Sequence, residues 1–420
     1  MQAAEPTLAA APRERLPLIG PLRNREFRLV FSGETISVLG DQFHFVALAW
    51  LALQLTGSGL ALGTVLMTAA IPRAVFVLVG GAFSDRFSPR NLMLVSNAIR
   101  GVLVGGLAAL VLSGNAELWH LYVLAGAFGV VDAFFYPAMQ TIVPMVVDER
   151  RLPAANALME GMRQLSGLVG PVLAGLLVQY VSTGPAFVID AVSFVVAALF
   201  LLAVRGGRRA VAAEHPDFVA AVRDGLRYSF ADPAIRSLLV LVAAVNLAFS
   251  GPIAVGLPWL AEFRFDEGPA AYGIMIAGFG AGALLGTIAA GSLPRVANLG
   301  YVTLGLALLL GLGLGGIALA PAVPIAVAIL AVIGLGAGFL NVRVVAWLQA
   351  RAEPSMIGRV MSLLMLSAIG LAPISYAVAG ALVDVHATLM FATSGAIVAA
   401  AVAIGLVNGV GQRMREEARA

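Results

Sequence analysis

Twelve segments of this chain are each long and apolar enough to cross a lipid bilayer, and its arginines gather in alternate gaps between them. A helix needs about 20 predominantly apolar residues to span the hydrocarbon layer. Within that layer a segment must satisfy its own backbone N–H and C=O groups, so each of the twelve is predicted helical. The spans lie near 27–54, 60–83, 91–113, 118–146, 152–180, 184–204, 235–262, 269–293, 298–320, 323–350, 355–383 and 386–409. Composition agrees: 60% of the 420 residues are hydrophobic and 12% are charged. Soluble domains are about half apolar and about a quarter charged, and a water-soluble globule of this composition would expose large apolar patches.

The arginines set the expected orientation. They occupy the leading tail (Arg13, Arg15, Arg23, Arg25, Arg28), the gaps at Arg86–Arg90 and Arg150–Arg151, the stretch from Arg205 to Arg236, and the gaps at Arg295 and Arg351–Arg359. Arg413, Arg415 and Arg419 close the chain. The opposite gaps hold Arg264 alone. Short cytoplasmic loops collect basic residues, so both termini and the central stretch are expected in the cytoplasm, with the chain in the cell (inner) membrane. The predicted organisation is all-α: a tail (1–26), a six-helix bundle (27–204), a linker (205–234), a second six-helix bundle (235–409) and a tail (410–420). Within the linker, Phe218, Val222 and Leu226 recur at helical spacing among charges, predicting a short amphipathic helix along the membrane surface. The first 28 residues lack the pattern of a signal peptide.

Several chemistries are disfavoured. No Cys is present, which removes disulfides and thiol catalysis. No Lys is present, so no phosphate-cradling Gly-x-x-x-x-Gly-Lys turn exists to drive ATP-powered pumping. The four histidines are scattered and no metal or hydrolase motif occurs. The net charge of +3 gives no nucleic-acid signature. No enzyme and no cofactor is expected. The expected partners are lipid, protons and a small molecule, with the chain acting as a monomer.

Charges inside a membrane are costly and are functional candidates for that reason. The first span carries Glu34, Asp41 and His44. Glu34 and Asp41 share a helix face, and Asp41 and His44 are one turn apart. Asp41, near mid-depth, is the first candidate for a protonatable group, with Asp132 in the fourth span beside it. His44 either relays a proton or hydrogen-bonds a neighbouring helix. Buried partners are expected from Arg73 and Arg163, with Asp132–Arg163 one pairing and Glu34 or Asp41 with Arg73 or Arg100 another. Glu160 and Arg163 are spaced for a local pair. Arg100 and Arg343 are expected to snorkel to the interface, and Asp190 and Asp384 to lie at outer span ends. Gln42, Gln140, Gln164 and Asn246 are expected to line a transport cavity, with Phe45, Tyr136 and Phe249 as its aromatic surface. Pro252 and Pro258 should interrupt the seventh span near mid-depth.

Two motifs carry a family resemblance. The turn GGAFSDRFSPR (80–90) resembles the signature turn of the major facilitator superfamily through Gly81, Asp85, Arg86 and Arg90, while Ser88 and Pro89 depart from it. In the fifth span, GLVGPVLAG (167–175) resembles the Gly-Pro-x-x-Gly-Gly motif of that superfamily's antiporters through Gly167, Gly170, Pro171 and Gly175, with Ala174 in place of one glycine. The stretches 37–58, 135–158 and 358–364 are similar to the drug-efflux branch that contains macrolide efflux proteins and the enterobactin exporter. The resemblance implies two six-helix bundles that rock about a central cavity, and proton-driven export of amphipathic organic molecules. A latch between the Asp85 turn and Arg359 is expected on the cytoplasmic side. A proton-coupled uptake symporter is the main alternative, and a membrane sensor a further one. No channel filter is evident.

Overall fold

The computed structural model describes residues 19–206, 218–265, 267–294 and 296–414, with the backbone alone for 77–86 and 218–222. Twelve spans long and apolar enough to cross a membrane follow one another among the described residues. The first six are α1 (Arg25–Thr56), α2 (Gly59–Arg86), α3 (Pro89–Leu112), α4 (Leu118–Val146), α5 (Leu152–Tyr180) and α6 (Thr183–Ala203). A surface helix follows, α7 (Phe218–Ala231). The seventh span is broken into α8 (Pro233–Gly251), a π-helical turn at Pro252–Gly256, and α9 (Leu257–Phe263). Then come α10 (Gly268–Ser292), α11 (Leu299–Ile317), α12 (Val323–Arg351), α13 (Ile357–Ile369), α14 (Ala372–Val385), α15 (Ala387–Val407) and the short α16 (Val410–Arg413). Exposed apolar side chains such as Val102, Leu199 and Leu312 stud the outer surface, which suits a bundle whose solvent is lipid.

The two bundles repeat one packing scheme. In the first, α2 packs on α4 and α3 packs on α4 and α6; in the second, α10 packs on α12 and α11 packs on α12 and α15. The entry to each bundle is also capped alike. Asn24 accepts from the amides of Glu26 and Phe27 at the start of α1, and its Nδ2 donates to the Val146 carbonyl at the end of α4 (2.7 Å). Asp232 accepts from Ala234 and Ile235 at the start of α8, and from Arg351 Nε at the end of α12 (2.8 Å). Burial works against the Asp232 charge, but the Arg351 bond and the two amides outweigh it and hold this carboxyl below the usual range.

The bundles meet along α2–α14 and α5–α10. We call the face carrying the arginine-bearing gaps the arginine-rich face. The seam is closed near the opposite, arginine-poor face. There Gly273 of α10 presses on α5, where an added Cβ would stand 2.2 Å from the Pro171 carbonyl oxygen, and a Cβ on Gly175 of α5 would stand 2.5 Å from the Pro269 carbonyl oxygen. Gln179 Oε1 accepts the Ala270 amide at 3.1 Å. The eleventh span divides its partners accordingly: α14 packs on α2 of the other bundle, while α13 packs on α7, α8 and α12.

Asp384, expected merely at a span end, has a more definite place. Its carboxylate accepts the Ser58 hydroxyl (2.6 Å) and the Gly59 and Leu60 amides (2.6 and 3.0 Å), so a residue of the second bundle caps the N-terminus of α2 in the first. Asp384→Ala removes these acceptors. The expected effect is a loss of about 1–2 kcal/mol from the closed seam. Because the chain has no Cys, spin labels at Val181→Cys and Glu267→Cys report on the seam directly. Their short-distance population should shrink in the variant, and an unchanged distance distribution would refute the latch.

The expected break in the seventh span is present as the π turn. Ser375 of α14 satisfies it, donating to the Leu247 carbonyl (2.6 Å) and accepting the Gly251 amide (2.7 Å). The eleventh span, expected continuous, is broken between α13 and α14, just before Pro373. The linker helix exists, but Leu226 is 40% exposed, and α7 instead lays Gly225 against the Arg359 side chain. Phe218 and Val222 lie outside the described side chains.

Candidate functional site

A cavity of about 430 Å³ is walled by α1–α5 of the first bundle, with Met365 and Ile369 of α13 completing its lining. Its lining gathers Glu34, Asp41 and His44 from α1, Arg73 from α2, Arg100 from α3, Asp132 from α4 and Arg163 from α5. Five helices thus bring these seven titratable side chains of the first bundle to one space. Helix periodicity explains the α1 set: Glu34, Asp41 and His44 lie seven and three residues apart and fall on one face.

Asp132 is the hub. Both its oxygens are bound by guanidinium groups, Oδ2 by Arg73 and Oδ1 by Arg100. The Arg100 side chain is only 5% exposed, and its guanidinium carbon stands 4.2 Å from the Phe135 ring centre, with Phe128 and Phe194 at 5.8 and 5.6 Å. Three quadrupoles and one carboxylate therefore hold this cation. The expected Asp132–Arg163 pair does not form, because the two arginines already fill the carboxylate. Arg100 does not snorkel, since the Asp132 anion and the aromatic rings stabilise it at depth.

Arg163 makes no hydrogen bond or ion pair with the described residues, and its buried Nε has no partner. Glu160, its expected local partner, instead accepts from Gln164 Nε2 at 2.9 Å. Glu34 is 3% exposed, and Arg100 and Arg163 are the cations whose fields act on it. Asp41, at the midpoint of α1, faces the cavity and has no partner among the described residues. His44 does not pair with Asp41. Its Nδ1 stands 3.1 Å from Asp190 Oδ2 of α6, with the imidazole stacked on Phe128 at 4.9 Å. Asp190, expected at the interface, is fully buried. Its position seven residues into α6 corresponds to roughly 10 Å of helix rise, a depth the sequence already contained.

The expected lining is only partly assembled. Phe45 and Tyr136 face the cavity. Gln42 does not line it: its amide turns back to the Val38 carbonyl, and its stem fills the space left by Gly170, where a Cβ would fall 2.4 Å from Gln42 Cγ. Gln140 and Gln164 likewise bond along their own helices, to Tyr136 and Glu160. Asn246 and Phe249 line a separate cavity of about 280 Å³ within the second bundle, together with Thr303 and Asn341. Among the motif residues, Gly170 packs α5 on α1, whereas Pro171 and Gly175 touch the other bundle. At Gly167 no described residue lies within 4 Å of where a Cβ would stand. Arg90 is 8% exposed and donates to the carbonyls of Leu201 and Leu202, closing the end of α6. Arg343 does not snorkel either; it donates to the Leu293 and Pro294 carbonyls after α10. Arg359 stands 3.7 Å from Asp224 of α7. Gly81, Asp85 and Arg86 lie outside the described side chains. No group of three or more His, Asp or Glu side chains able to hold a metal ion occurs among the described residues.

The profile of the Major Facilitator Superfamily matches residues 30–377, most of the chain and both bundles. The chain belongs to that superfamily. Among its relatives, this facilitator is 26% identical over 380 residues to the multidrug efflux pump Tap of Mycobacterium tuberculosis (strain H37Rv), covering 86% of this chain and 88% of that protein. It is 23% identical over 348 residues to macrolide efflux protein A of Streptococcus pyogenes, covering 80% and 84%. The fold matches a crystal structure of the peptide transporter POT in complex with sulfate (TM-score 0.73, 14% identity, 97% of this chain and 100% of that one). It also matches a bacterial homologue of the lysosomal transporter Spinster, inward-facing and unoccupied (TM-score 0.65, 14% identity, 94% and 99%). This facilitator is therefore a multi-pass membrane transporter with efflux pumps among its relatives.

Proposed function

We propose that this chain is a proton-coupled antiporter that exports amphipathic organic molecules across the cell (inner) membrane by alternating access, working as a monomer. The observation that carries the reading is Asp41, a carboxyl at mid-helix that faces the cavity with no partner among the described residues, beside aromatic side chains and the Arg73–Asp132–Arg100 cluster. An unpaired acid in a membrane cavity has two natural ligands, a proton and a cationic substrate, and competition between them couples their opposite movements. The efflux relatives support the direction of transport.

With the arginine-rich face in the cytoplasm, the closed arginine-poor seam makes this the cytoplasm-facing, loading state. In the opposite state Arg359 exchanges Asp224 for the turn containing Gly81, Asp85, Arg86 and Arg90, and closes the cytoplasmic side. Everted vesicles from cells expressing the chain test the reading. An imposed acid interior should drive uptake of a fluorescent amphipathic cation such as ethidium, and an uncoupler should abolish it. Concentrative uptake of the probe by right-side-out vesicles under an inward proton gradient, with none by everted ones, would make the chain a symporter and overturn the proposal.

A further inference from the structure

Behind Asp41 lies a second pair of titratable groups that the transport cavity alone does not explain. His44 is 6% exposed and Asp190 is fully buried, and their Nδ1 and Oδ2 atoms are 3.1 Å apart. The Ser193 hydroxyl donates to the Asp190 backbone carbonyl at 2.7 Å and sits 3.4 Å from Oδ1, so Oδ2 is left to His44. Gly40 makes the approach possible. A Cβ there would lie 2.1 Å from Ser193 Oγ and 3.0 Å from Asp190 Oδ1. The Asp190 carboxyl is therefore pressed against α1 one residue before Asp41.

The charges lining the cavity beside this pair come from α1 to α5: Glu34 and Asp41 on α1, Arg73 on α2, Arg100 on α3, Asp132 on α4 and Arg163 on α5. With Asp190, four carboxyls confront three guanidiniums. In a poorly solvated cluster an uncompensated charge is expensive, so the set closes to neutrality on binding one proton. Asp132 is already filled by two arginines, and of the remaining acids Asp41 and Asp190 belong to segments pressed together at Gly40, with His44 on the Asp190 carboxylate. The proton therefore belongs to Asp41, Asp190 and His44.

We propose that Asp190 and His44 form a buried proton-holding station that exchanges one proton with Asp41. This deepens the proton coupling proposed above and rests on it. A proton entering from the cavity is taken by the Asp41 carboxyl and passes to the Asp190–His44 pair. The same proton returns through Asp41 and leaves to the cavity before a cationic substrate takes the Asp41 carboxylate, so the cluster holds either the proton or the substrate. No other bond is made or broken.

The chain has four histidines, so isotope-labelled histidine in the full chain in nanodiscs gives few resonances, and His44→Gln assigns the one of interest. Groups that share a proton titrate together. The His44 curve should be stretched over more than one step in the wild type. It should collapse to a single step in Asp41→Asn, with the midpoint displaced by about one pH unit or more, while the other three histidines stay unchanged. A His44 curve in Asp41→Asn that overlays the wild type would overturn the inference, because a merely structural pair is indifferent to Asp41. In everted vesicles, Asp190→Asn should displace the midpoint of the pH dependence of ethidium transport by about one pH unit or more, and Asp190→Glu should restore it. Wild-type pH dependence in Asp190→Asn would also overturn it. If Asp190→Asn does not fold, the Asp41→Asn titration decides alone. A wild type that moves no protons, yet shows His44 responding to Asp41, would defeat the transport reading and leave the shared proton standing.

Discussion

Asp132→Asn is expected to cost the first bundle about 3–5 kcal/mol, the range for removing one partner from a buried ion pair. The carboxylate binds two guanidiniums, but they are unequal. The Arg73 side chain is 45% exposed and remains solvated in the cavity after the substitution. Arg100 is 5% exposed and boxed by aromatic rings. Ring contacts contribute about 0.5–2 kcal/mol, too little to replace the anion, so nearly all of the penalty falls on Arg100. This asymmetry makes a sharper expectation possible. Asp132→Asn with Arg100→Met removes the stranded charge along with its partner and should recover most of the loss, because replacing both members of a buried pair by uncharged groups is close to neutral. Arg73→Ala should cost far less than Asp132→Asn. Thermal unfolding in detergent, followed by fluorescence-detected gel filtration, ranks the variants. Equal stability of Asp132→Asn and the wild type would mean that Arg100 finds another anion, and the cluster described here would be wrong.

The fold was legible because its signal is redundant. Span after span repeats the same requirement, an apolar length near 20 residues, and the observed helix ends fall within a few residues of those expected. The π turn was legible at Pro252, since a missing N–H must reorganise the ladder. The site was legible in composition but not in pairing. A charge on a helix has a depth and a face, both set by periodicity, but which neighbouring helix that face meets depends on the packing of the whole bundle. So Asp41, Glu34, Asp132, Arg73 and Arg163 were identified as intramembrane charges, while Asp132 took Arg100 rather than Arg163. Asp190 lies seven residues into α6, so the rise along the helix puts it at depth although it is near a span end. The glutamines failed for a related reason: an amide on a helix can satisfy itself on the carbonyl four residues back, as Gln42 does on Val38. Gly40 could not be read at all, because its role is the absence of a side chain where Ser193 and Asp190 come close.

Asp41→Asn is expected to abolish concentrative transport and leave the structure intact. Asparagine matches aspartate in size, and Asp41 makes no hydrogen bond or ion pair with the described residues that the change would break, so unfolding should shift by less than about 1 kcal/mol. The consequence for coupling is much larger. A proton gradient can drive a substrate uphill only if the protonated and deprotonated carriers differ in affinity for the substrate, and in an antiporter the two ligands compete. Asparagine binds no proton, so at this position the two states become one and the differential affinity vanishes. Accumulation of ethidium in everted vesicles with an acid interior should then fall to about the equilibrium ratio of 1, since a ligand without differential affinity shifts nothing. Exchange of labelled for unlabelled probe across the membrane should persist, because it needs the cavity and the rocking of the bundles but no net proton movement. Binding of the probe to purified protein should also change from pH-dependent to flat, and at neutral pH it should weaken through loss of the carboxylate. The combination separates Asp41 from a structural residue, whose replacement would impair exchange and accumulation together. Wild-type accumulation in the variant would assign the coupling proton elsewhere, with Glu34 next in line, the other cavity-facing acid not already filled by arginine.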